Sequence, residues 1–404
     1  MFSLVSPAVF VPMIFVLLII VFAFFFSRDA KKLHRTSTKG MPYYDEIETS
    51  VGYIARNILE DGRFKYRNNV DPDIVYENNT YNSLRHAGTL YSMYLYEKLG
   101  LENRHHALRI LSSKYFIKRY IKKVDKTKYA VFSIPEEEGM NIPIAKSGAS
   151  GVALCALCNL LKEEIIDLKI LQGLGEFLLY MQNKEGNIYA YYDFEKKDIN
   201  KEAEAIYYPG EAAAGLVFLY EIDPQAKWLE GAKKALFYIQ RTQVSNPGGP
   251  IFDHWATLAI EKLFELNILA TREYEILKDY TEKMALPMLT AQITNKNHIY
   301  YGAFVDNIRP CSLGTIMEGL ASIYFCTDSK QLQTIIYKSL ALGCMFLSRT
   351  QVKTGENAGG LPNSANWIKP GVTPNASIIR IDNVQHVICA WLKFQKILQI
   401  RRSY

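Results

Sequence analysis

The feature that most restricts the fold of this chain is an alternation between two kinds of helix. After Met41, apolar residues recur at spacings of three and four, which is the period of an α-helix with a buried face. Several helices end in a similar polar turn, such as the one at residues 182–187. Twelve helices are predicted, at residues 43–60, 80–99, 102–121, 146–162, 166–183, 208–222, 224–242, 252–267, 272–293, 312–326, 329–349 and 382–398.

Every second helix begins with polar residues and then becomes apolar and small on all sides. In residues 207–221, Pro209 and Glu211 suit the first turn of a helix, and Ala, Gly and large apolar residues follow. A helix that is apolar all round is a buried helix. Six buried helices alternating with six amphipathic ones predict two concentric rings. The polar first turns of the inner ring would then meet at one end and line a single pocket.

This pattern resembles the (α/α)6 barrel of six-hairpin glycosidases and of sugar epimerases, such as the N-acylglucosamine 2-epimerase type and the C-terminal domain of glucuronyl C5-epimerases. The resemblance covers about residues 43–400 and is architectural, since no family-specific motif is matched. It implies an all-α (α/α)6 barrel domain at residues 41–404 and an enzyme acting on glycans. Terpenoid cyclases and prenyltransferases share the architecture, but the sequence has neither an Asp-rich motif nor an Asp/Cys/His zinc set.

A membrane anchor is predicted within residues 1–40, ahead of the barrel. Ala8 to Phe26 is an uncharged apolar run long enough to cross a bilayer. No basic region precedes it and no small-residue cleavage site follows, so an uncleaved single-pass helix is favoured over a signal peptide. The basic residues after it place the barrel in the cytoplasm by the positive-inside rule, while a periplasmic or lumenal barrel stays open. These residues are Arg28, Lys31, Lys32, Arg35 and Lys39.

Composition and motifs exclude several kinds of ligand. The net charge of +6 is mild and no nucleic-acid-binding signature is present, so no nucleic-acid partner is expected. Cys155 and Cys158 form a C-x-x-C pair inside an apolar helix, without a second pair at zinc spacing. They are interpreted as buried apolar residues, and no metal site is expected. Since the sequence lacks a phosphate loop and a dinucleotide fingerprint, no cofactor is expected either.

The candidate site consists of ionisable and aromatic residues at the predicted starts of the inner helices. The candidate catalytic residues are Glu211, Asp253, Asp382, His254, His86 and His386. The candidate substrate-binding residues are Tyr81, Asn82, Arg85, Lys146, Tyr208, Trp255, Asn383 and Trp367. Each one alone has a plainer explanation, since an aspartate suits a helix N-cap and a histidine can be a satisfied core residue. Their joint placement indicates a site.

A glycoside hydrolase is the favoured interpretation. Hydrolysis of a glycosidic bond needs a carboxylic acid on one side and a carboxylate on the other. Glu211, near other carboxylates, would have a raised pKa and serve as the acid, with Asp253 or Asp382 as base or nucleophile. Trp255 and Tyr208 would stack on a sugar face.

Two further interpretations stay open. A sugar (uronate) epimerase or a polysaccharide lyase needs an acid and a base on opposite faces of a carbon, which His86, His254 and His386 can supply. Arg85 and Lys146 would hold an acidic group of the carbohydrate substrate. The third interpretation is a non-catalytic glycan-binding or scaffold barrel.

Two loops carry predictions of their own. Within residues 122–145, a short strand is expected at 129–134, and the acidic triplet Glu136–Glu138 is interpreted as a solvated turn. Residues 352–379 form a long loop rich in Gly and Pro, which is typical of a lid over a site. Trp367 is the residue expected to cover the ligand, with a surface flap that packs its own Trp as the alternative.

Overall fold

Twelve long helices make up more than half of the residues that our computed structural model describes, which are 41–402 except 72, 77–79, 101–103, 245, 247–248, 305–307 and 369–373. We number them α1 to α12. They are α1 (Tyr44–Arg56), α2 (Ser83–Lys98), α3 (His106–Tyr120), α4 (Ser147–Leu157), α5 (Leu168–Tyr180), α6 (Tyr208–Ile222), α7 (Ala226–Gln243), α8 (His254–Leu266), α9 (Thr271–Thr290), α10 (Pro310–Cys326), α11 (Lys330–Thr350) and α12 (Ile381–Arg402).

The even-numbered helices form a closed inner ring and the odd-numbered helices surround it. Each even helix packs against the next one, and α12 packs back against α2. All 11 residues of α4 are buried, whereas α7 buries only 6 of its 18 residues. This difference follows the two sequence patterns, because a helix surrounded by other helices needs apolar residues on every side. The predicted (α/α)6 barrel and its two rings are confirmed.

Small residues allow the inner helices to touch at the backbone. A Cβ atom added to Gly215 in α6 would lie 2.5 Å from the carbonyl oxygen of Gly151 in α4. Neither position therefore accepts a side chain without moving one helix away from its neighbour. This contact explains why α6 has the small residues Ala212 and Gly215, three positions apart, where it faces α4.

Two small antiparallel sheets lie where inner helices begin. Strands β2 (Ile121–Lys123), β3 (Tyr129–Ser133), β4 (Ile144–Lys146), β5 (Tyr191–Asp193) and β6 (Asp198–Asn200) pair in that order, and β4 runs directly into α4. Strands β1 (Arg67–Asn69) and β7 (Ile378–Arg380) pair just before α12, with Arg67 opposite Arg380. The strand predicted at 129–134 is confirmed as β3, and the other strands were not predicted.

The acidic triplet is not a solvated turn. Residues Pro135–Glu138 form one helical turn, and the side chain of Glu138 is only 2% exposed. Its carboxylate accepts hydrogen bonds from the backbone N–H of Ser83 at 2.9 Å and from the Ser83 hydroxyl at 2.7 Å, and it pairs with the ammonium of Lys146. Three polar partners compensate a carboxylate for the loss of water, so the prediction was wrong for Glu138.

Within the part of the chain that the structure describes, no helix has both the length and the apolar character needed to cross a bilayer. The anchor predicted at Ala8–Phe26, and with it the whole of residues 1–40, lies outside the described residues.

Candidate functional site

A cavity of about 560 Å³ opens where the inner helices begin. The first two turns of α2, α6, α8, α10 and α12 line it, together with Met288 of α9 and the segment before α8. Six of the residues predicted for the site lie in its wall: Arg85, Glu211, His254, Trp255, Asp382 and His386. They come together because every inner helix runs in the same direction, so that side chains far apart in sequence share one end of the barrel.

Two histidines stand side by side in this wall. His254 is the first residue of α8, His386 lies in the second turn of α12, and their ring centroids are 5.3 Å apart at an interplanar angle of 79°. Nδ1 of His386 shares a hydrogen bond of 2.7 Å with the carboxylate of Glu318, a buried residue of α10. Burial, then the nearby charges of His386 and Lys393, lowers the pKa of His254 far below its usual value, so this imidazole is neutral.

The Nε2 atom of His254 is buried and has no hydrogen-bond partner among the described residues. A buried polar atom without a partner destabilises the fold, and such atoms in native proteins are rare enough to need an explanation. Since His254 lines the cavity, a ligand that fills the cavity can provide that partner. The unpartnered atom therefore makes this wall a candidate place for ligand binding.

Glu211 provides a neutral acid on another side of the cavity. Burial, then the neighbouring Asp253 carboxyl, raises the pKa of Glu211 well above its usual value, against the opposing charge of Lys146. Its Oε2 atom is buried without a hydrogen-bond partner in the described chain. A protonated carboxyl group in such a place can donate a proton or a hydrogen bond to a ligand.

Two glycines create the space for these buried carboxyl groups. A Cβ atom on Gly148 would collide with Oε2 of Glu211 and with the ring of Tyr208, and a Cβ atom on Gly210 would collide with Oδ2 of Asp253. Neither glycine has a positive φ, so the reason for glycine is close approach and not backbone strain.

Asp382 is held by two arginines. The guanidinium of Arg380 donates two hydrogen bonds of 2.8 Å to its two oxygens, and Nε of Arg85 lies 3.1 Å from Oδ2. Burial alone would raise the pKa of Asp382, but Arg85 and Arg380 together outweigh it, and the pKa lies below its usual value. Asp382 is therefore an ionised carboxylate whose task is to orient Arg85, and Arg85 remains 34% exposed toward the cavity.

The structure places His86 and Tyr81 outside the cavity. His86 is fully buried among aromatic rings, its Nδ1 pairs with the hydroxyl of Tyr81 at 2.7 Å, and its Nε2 pairs with Ser112. Burial lowers the pKa of His86 to about 3. Both ring nitrogens are satisfied, so His86 is a core histidine, and the geometry gives no support to its predicted catalytic role.

Asp253 is a helix cap and does not line the cavity. Its Oδ1 accepts hydrogen bonds from the backbone N–H groups of Trp255 at 2.9 Å and Ala256 at 3.1 Å. Burial raises the pKa of Asp253 to about 7. The side chain that α8 presents to the cavity is the next residue, His254, so the role of base or nucleophile predicted for Asp253 lacks a geometric basis.

Five predicted binding residues also serve the framework. Asn82 caps α2, since its side chain accepts the N–H of Arg85 at 3.0 Å. Lys146 pairs with Glu138, the half-buried Tyr208 packs edge-to-face against Tyr191, and the amide of Asn383 donates to Leu361 and Asn363. Trp367 donates its Nε1–H to the carbonyl of Thr350 at 2.9 Å, as the alternative of a flap with its own Trp predicts. The residues concerned, Asn82, Lys146, Tyr208, Asn383 and Trp367, do not line the cavity.

Several wall residues were not predicted, namely Gln385, Phe252, Cys311, Ser312 and Thr315. Glu318 was not predicted either; it lies behind the wall and contacts His386. A signal for Glu318 exists in the sequence. It is the single charged residue in the helix Pro310–Cys326, whose other residues are apolar or small and polar. Because burying a charge is costly unless it is paired, an isolated carboxylate inside a buried helix predicts a partner and a purpose.

Comparisons with known proteins agree with the fold. No family model matches the sequence, and no curated protein matches it significantly. Among solved structures, an α-1,6-mannanase from Salegentibacter sp. aligns with a TM-score of 0.59 at 13% identity, over 88% of this chain and 99% of that chain. A D-mannose isomerase aligns with a TM-score of 0.65 at 13% identity, over 87% and 96%. A cellobiose 2-epimerase from Bacillus thermoamylovorans aligns with a TM-score of 0.63 at 10% identity, over 88% and 98%. At these identities the likeness shows the (α/α)6 fold alone.

Proposed function

We propose that this protein is a sugar epimerase or isomerase that moves a proton at a carbon next to a carbonyl group. The observation that carries the proposal is the pair His254 and His386, two imidazoles 5.3 Å apart in the wall of one cavity. Proton abstraction and return at one carbon need a base and an acid within reach of the same substrate atom. Two solved structures of the same fold are a D-mannose isomerase and a cellobiose 2-epimerase, which supports this class.

The reaction follows from the protonation states. A hydrogen on the carbon beside the carbonyl of an open-chain sugar is acidic, and the neutral imidazole of His254 can take it as a proton, which leaves an enediolate with its negative charge on the former carbonyl oxygen. His386 then gives a proton to the same carbon from the other face in an epimerase. In an isomerase it gives the proton to the former carbonyl carbon, after a proton has passed from the neighbouring hydroxyl to the former carbonyl oxygen. Exchange with solvent then removes the proton from His254 and returns one to His386. Glu318 fixes which nitrogen of His386 reacts, because its carboxylate occupies Nδ1.

Glu211 and Arg85 stabilise the charge that develops on the carbonyl oxygen. Glu211 is protonated by virtue of its raised pKa, so it can donate a hydrogen bond to that oxygen. Arg85 carries more N–H groups than its contacts with Asp382 and Tyr66 use, and it lines the cavity. A positive group in this position also suits a sugar with an acidic substituent, such as a uronate.

Glycoside hydrolysis, the interpretation favoured from the sequence, is the second candidate. It is supported by Glu211, a buried neutral carboxyl group able to protonate a leaving oxygen. The required second carboxylate is the difficulty, since Asp253 caps α8 and Asp382 is held by two arginines. The mannanase of this fold is inactivated by replacing two adjacent aspartates, and this sequence contains no adjacent pair of aspartates.

The membrane anchor belongs to the proposal as well. A single-pass helix at Ala8–Phe26, with the barrel on the cytoplasmic side by the charge rule, would hold the enzyme near a carbohydrate that is made or exported at a membrane. The basic flank after Phe26 is what supports the orientation.

Product analysis in heavy water tests the proposal. The full chain is incubated in D2O, with a chelator, against a panel of aldoses, uronates and oligosaccharides, and the products are read by NMR. Deuterium at the carbon beside the carbonyl, without chain cleavage, is the expected result. New reducing ends indicate a hydrolase, unsaturated ends that absorb ultraviolet light indicate a lyase, and no turnover on any sugar indicates a binding barrel; each of these refutes the proposal.

Matched histidine variants assign the chemistry to the site. His254→Gln and His386→Gln are each expected to slow the exchange by about 10²–10⁴-fold, while His298→Ala leaves it unchanged. His298 is an exposed histidine after α9 and serves as the control for losing an imidazole anywhere in the chain.

A further inference from the structure

Three side chains from three inner helices converge beside the cavity in a way that acid–base chemistry alone does not require. They are His254 of α8, Glu318 of α10 and His386 of α12, and one ligand atom of each lies within 4.8 Å of the other two. We propose that these three residues bind one divalent first-row transition metal ion, and that the bound ion switches the enzyme off. The switching part rests on the proposed function, because the ion would occupy both histidines that move the proton.

The donor set selects the class of metal. Two imidazole nitrogens and one carboxylate oxygen suit Zn²⁺, Co²⁺ or Fe²⁺, whereas Mg²⁺ and Ca²⁺ prefer oxygen ligands throughout. With metal–ligand distances of about 2.0–2.2 Å, ligand atoms around a tetrahedral ion are about 3.4 Å apart. Side-chain rotations of roughly 1 Å bring atoms within 4.8 Å of one another to that separation.

The present contacts of the three residues favour an ion over an empty site. Nε2 of His254 is buried without a partner in the described chain, and a metal bond would supply one. His386 and Glu318 already share a proton across 2.7 Å, and an ion that enters between them replaces this proton, which leaves to solvent. The ammonium of Lys393, whose charge acts on His254, is paired with the carboxylate of Glu261 at 3.0 Å, so its charge does not exclude a dication.

The surroundings give the site an open side. His254 and His386 line the cavity of about 560 Å³, so an ion held by three protein ligands keeps its fourth position for water or a sugar hydroxyl. The ion can therefore enter from the cavity without unfolding the barrel. The C-x-x-C pair that the sequence offers for a metal is a different place, since Cys155 and Cys158 are buried inside and just after α4.

Cobalt and zinc titrations of the full chain test the site directly. After chelator treatment and dialysis, Co²⁺ is added and its visible d–d absorption is followed, and Zn²⁺ binding is measured by calorimetry. We expect one ion per chain, with strong tetrahedral cobalt bands. His254→Ala and Glu318→Gln should each weaken binding by about 100-fold or more, because each removes a ligand, and the control His298→Ala should leave it unchanged. Circular dichroism verifies that the variants fold. If one of the two ligand variants does not fold, His386→Gln takes its place in the titrations.

Three results overturn the proposal: no stoichiometric binding, binding that survives both ligand variants, or binding that His298→Ala removes, which means an adventitious surface ion only. Inhibition is read separately, as loss of the deuterium exchange on adding one equivalent of Zn²⁺ and its return with chelator. Exchange that continues at full rate with the site filled refutes the switch. Metal binding is measured without sugar and the exchange without metal, so failure of one does not imply failure of the other.

Discussion

The ion pair between Lys146 and Glu138 makes a quantitative prediction about the framework of the site. Lys146→Met keeps the length of the side chain and removes its charge, which strands a carboxylate that is 2% exposed. Glu138 retains its two hydrogen bonds from Ser83, at 2.9 and 2.7 Å, but has lost its counter-ion. Breaking a buried pair in this way costs about 3–5 kcal/mol.

This free energy converts into a measurable change in Tm. For a domain of roughly 360 residues with an unfolding entropy of about 2.1 cal/mol/K per residue, a loss of about 3–5 kcal/mol lowers Tm by about 4–7 °C. Thermal unfolding followed by circular dichroism measures the shift. Adding Glu138→Gln to Lys146→Met should restore more than half of it, since the stranded charge is then gone.

Lys262→Met is the matched control. The side chain of Lys262 is as buried as that of Lys146, at 8% against 9%, but its partners Glu221 and Glu265 are 41% and 38% exposed. Water can solvate both carboxylates once the lysine is gone, so the cost should stay below about 1 kcal/mol. Equal drops in Tm for the two variants would refute the reasoning that the exposure of the stranded partner decides the cost.

Four further variants test the site and its surroundings. His254→Gln should lower kcat for proton exchange by about 10²–10⁴-fold at nearly constant KM, and an unchanged kcat contradicts the assignment. Burial raises the pKa of Glu211, so the stability that its protonated form contributes is full at low pH and is lost as the pH rises through that pKa. Glu211→Gln should therefore flatten the decline of the unfolding free energy with pH, as measured by urea denaturation across a pH series. Parallel stability curves for the variant and the wild type would contradict this pKa shift. Gly148→Ala should lower the unfolding free energy by about 1–3 kcal/mol in urea denaturation and reduce kcat, because the new methyl group collides with the carboxyl group of Glu211. Wild-type values of both quantities would mean that the carboxyl group of Glu211 does not pack against Gly148. Trp367→Ala should lower Tm and leave KM unchanged, whereas a large rise in KM would restore the lid hypothesis.

The helices could be predicted from sequence because their apolar period is repeated over many turns. The errors are at the ends: the segment predicted at 146–162 is α4 to Leu157 followed by a 3₁₀ turn at Cys158–Glu163, and the last helix continues to Arg402. A change from α to 3₁₀ geometry keeps the same apolar residues buried, so the pattern of side chains does not reveal it.

The site could be predicted as a place but not residue by residue. Asp253 and His254 are adjacent at the start of α8, and only the coordinates show that the first caps the helix while the second faces the cavity. Likewise, the sequence of Glu136–Glu138 is typical of a solvated charged turn. No neighbouring residue in the sequence indicates that Lys146 and Ser83 contact Glu138 in the fold. Contacts between distant parts of the chain decide which polar residues are solvated, and these contacts cannot be predicted from the spacing of residues in the sequence.

The closure of the inner ring by α12 has a consequence for synthesis. Since α12 joins α10 to α2, the ring stays open on the ribosome until the last helix has emerged. Asp382 and His386 arrive with that helix, so a nascent or truncated chain that lacks it keeps five inner helices and lacks two residues of the candidate site. Catalytic competence would thus appear in a single late step, together with the completion of the barrel.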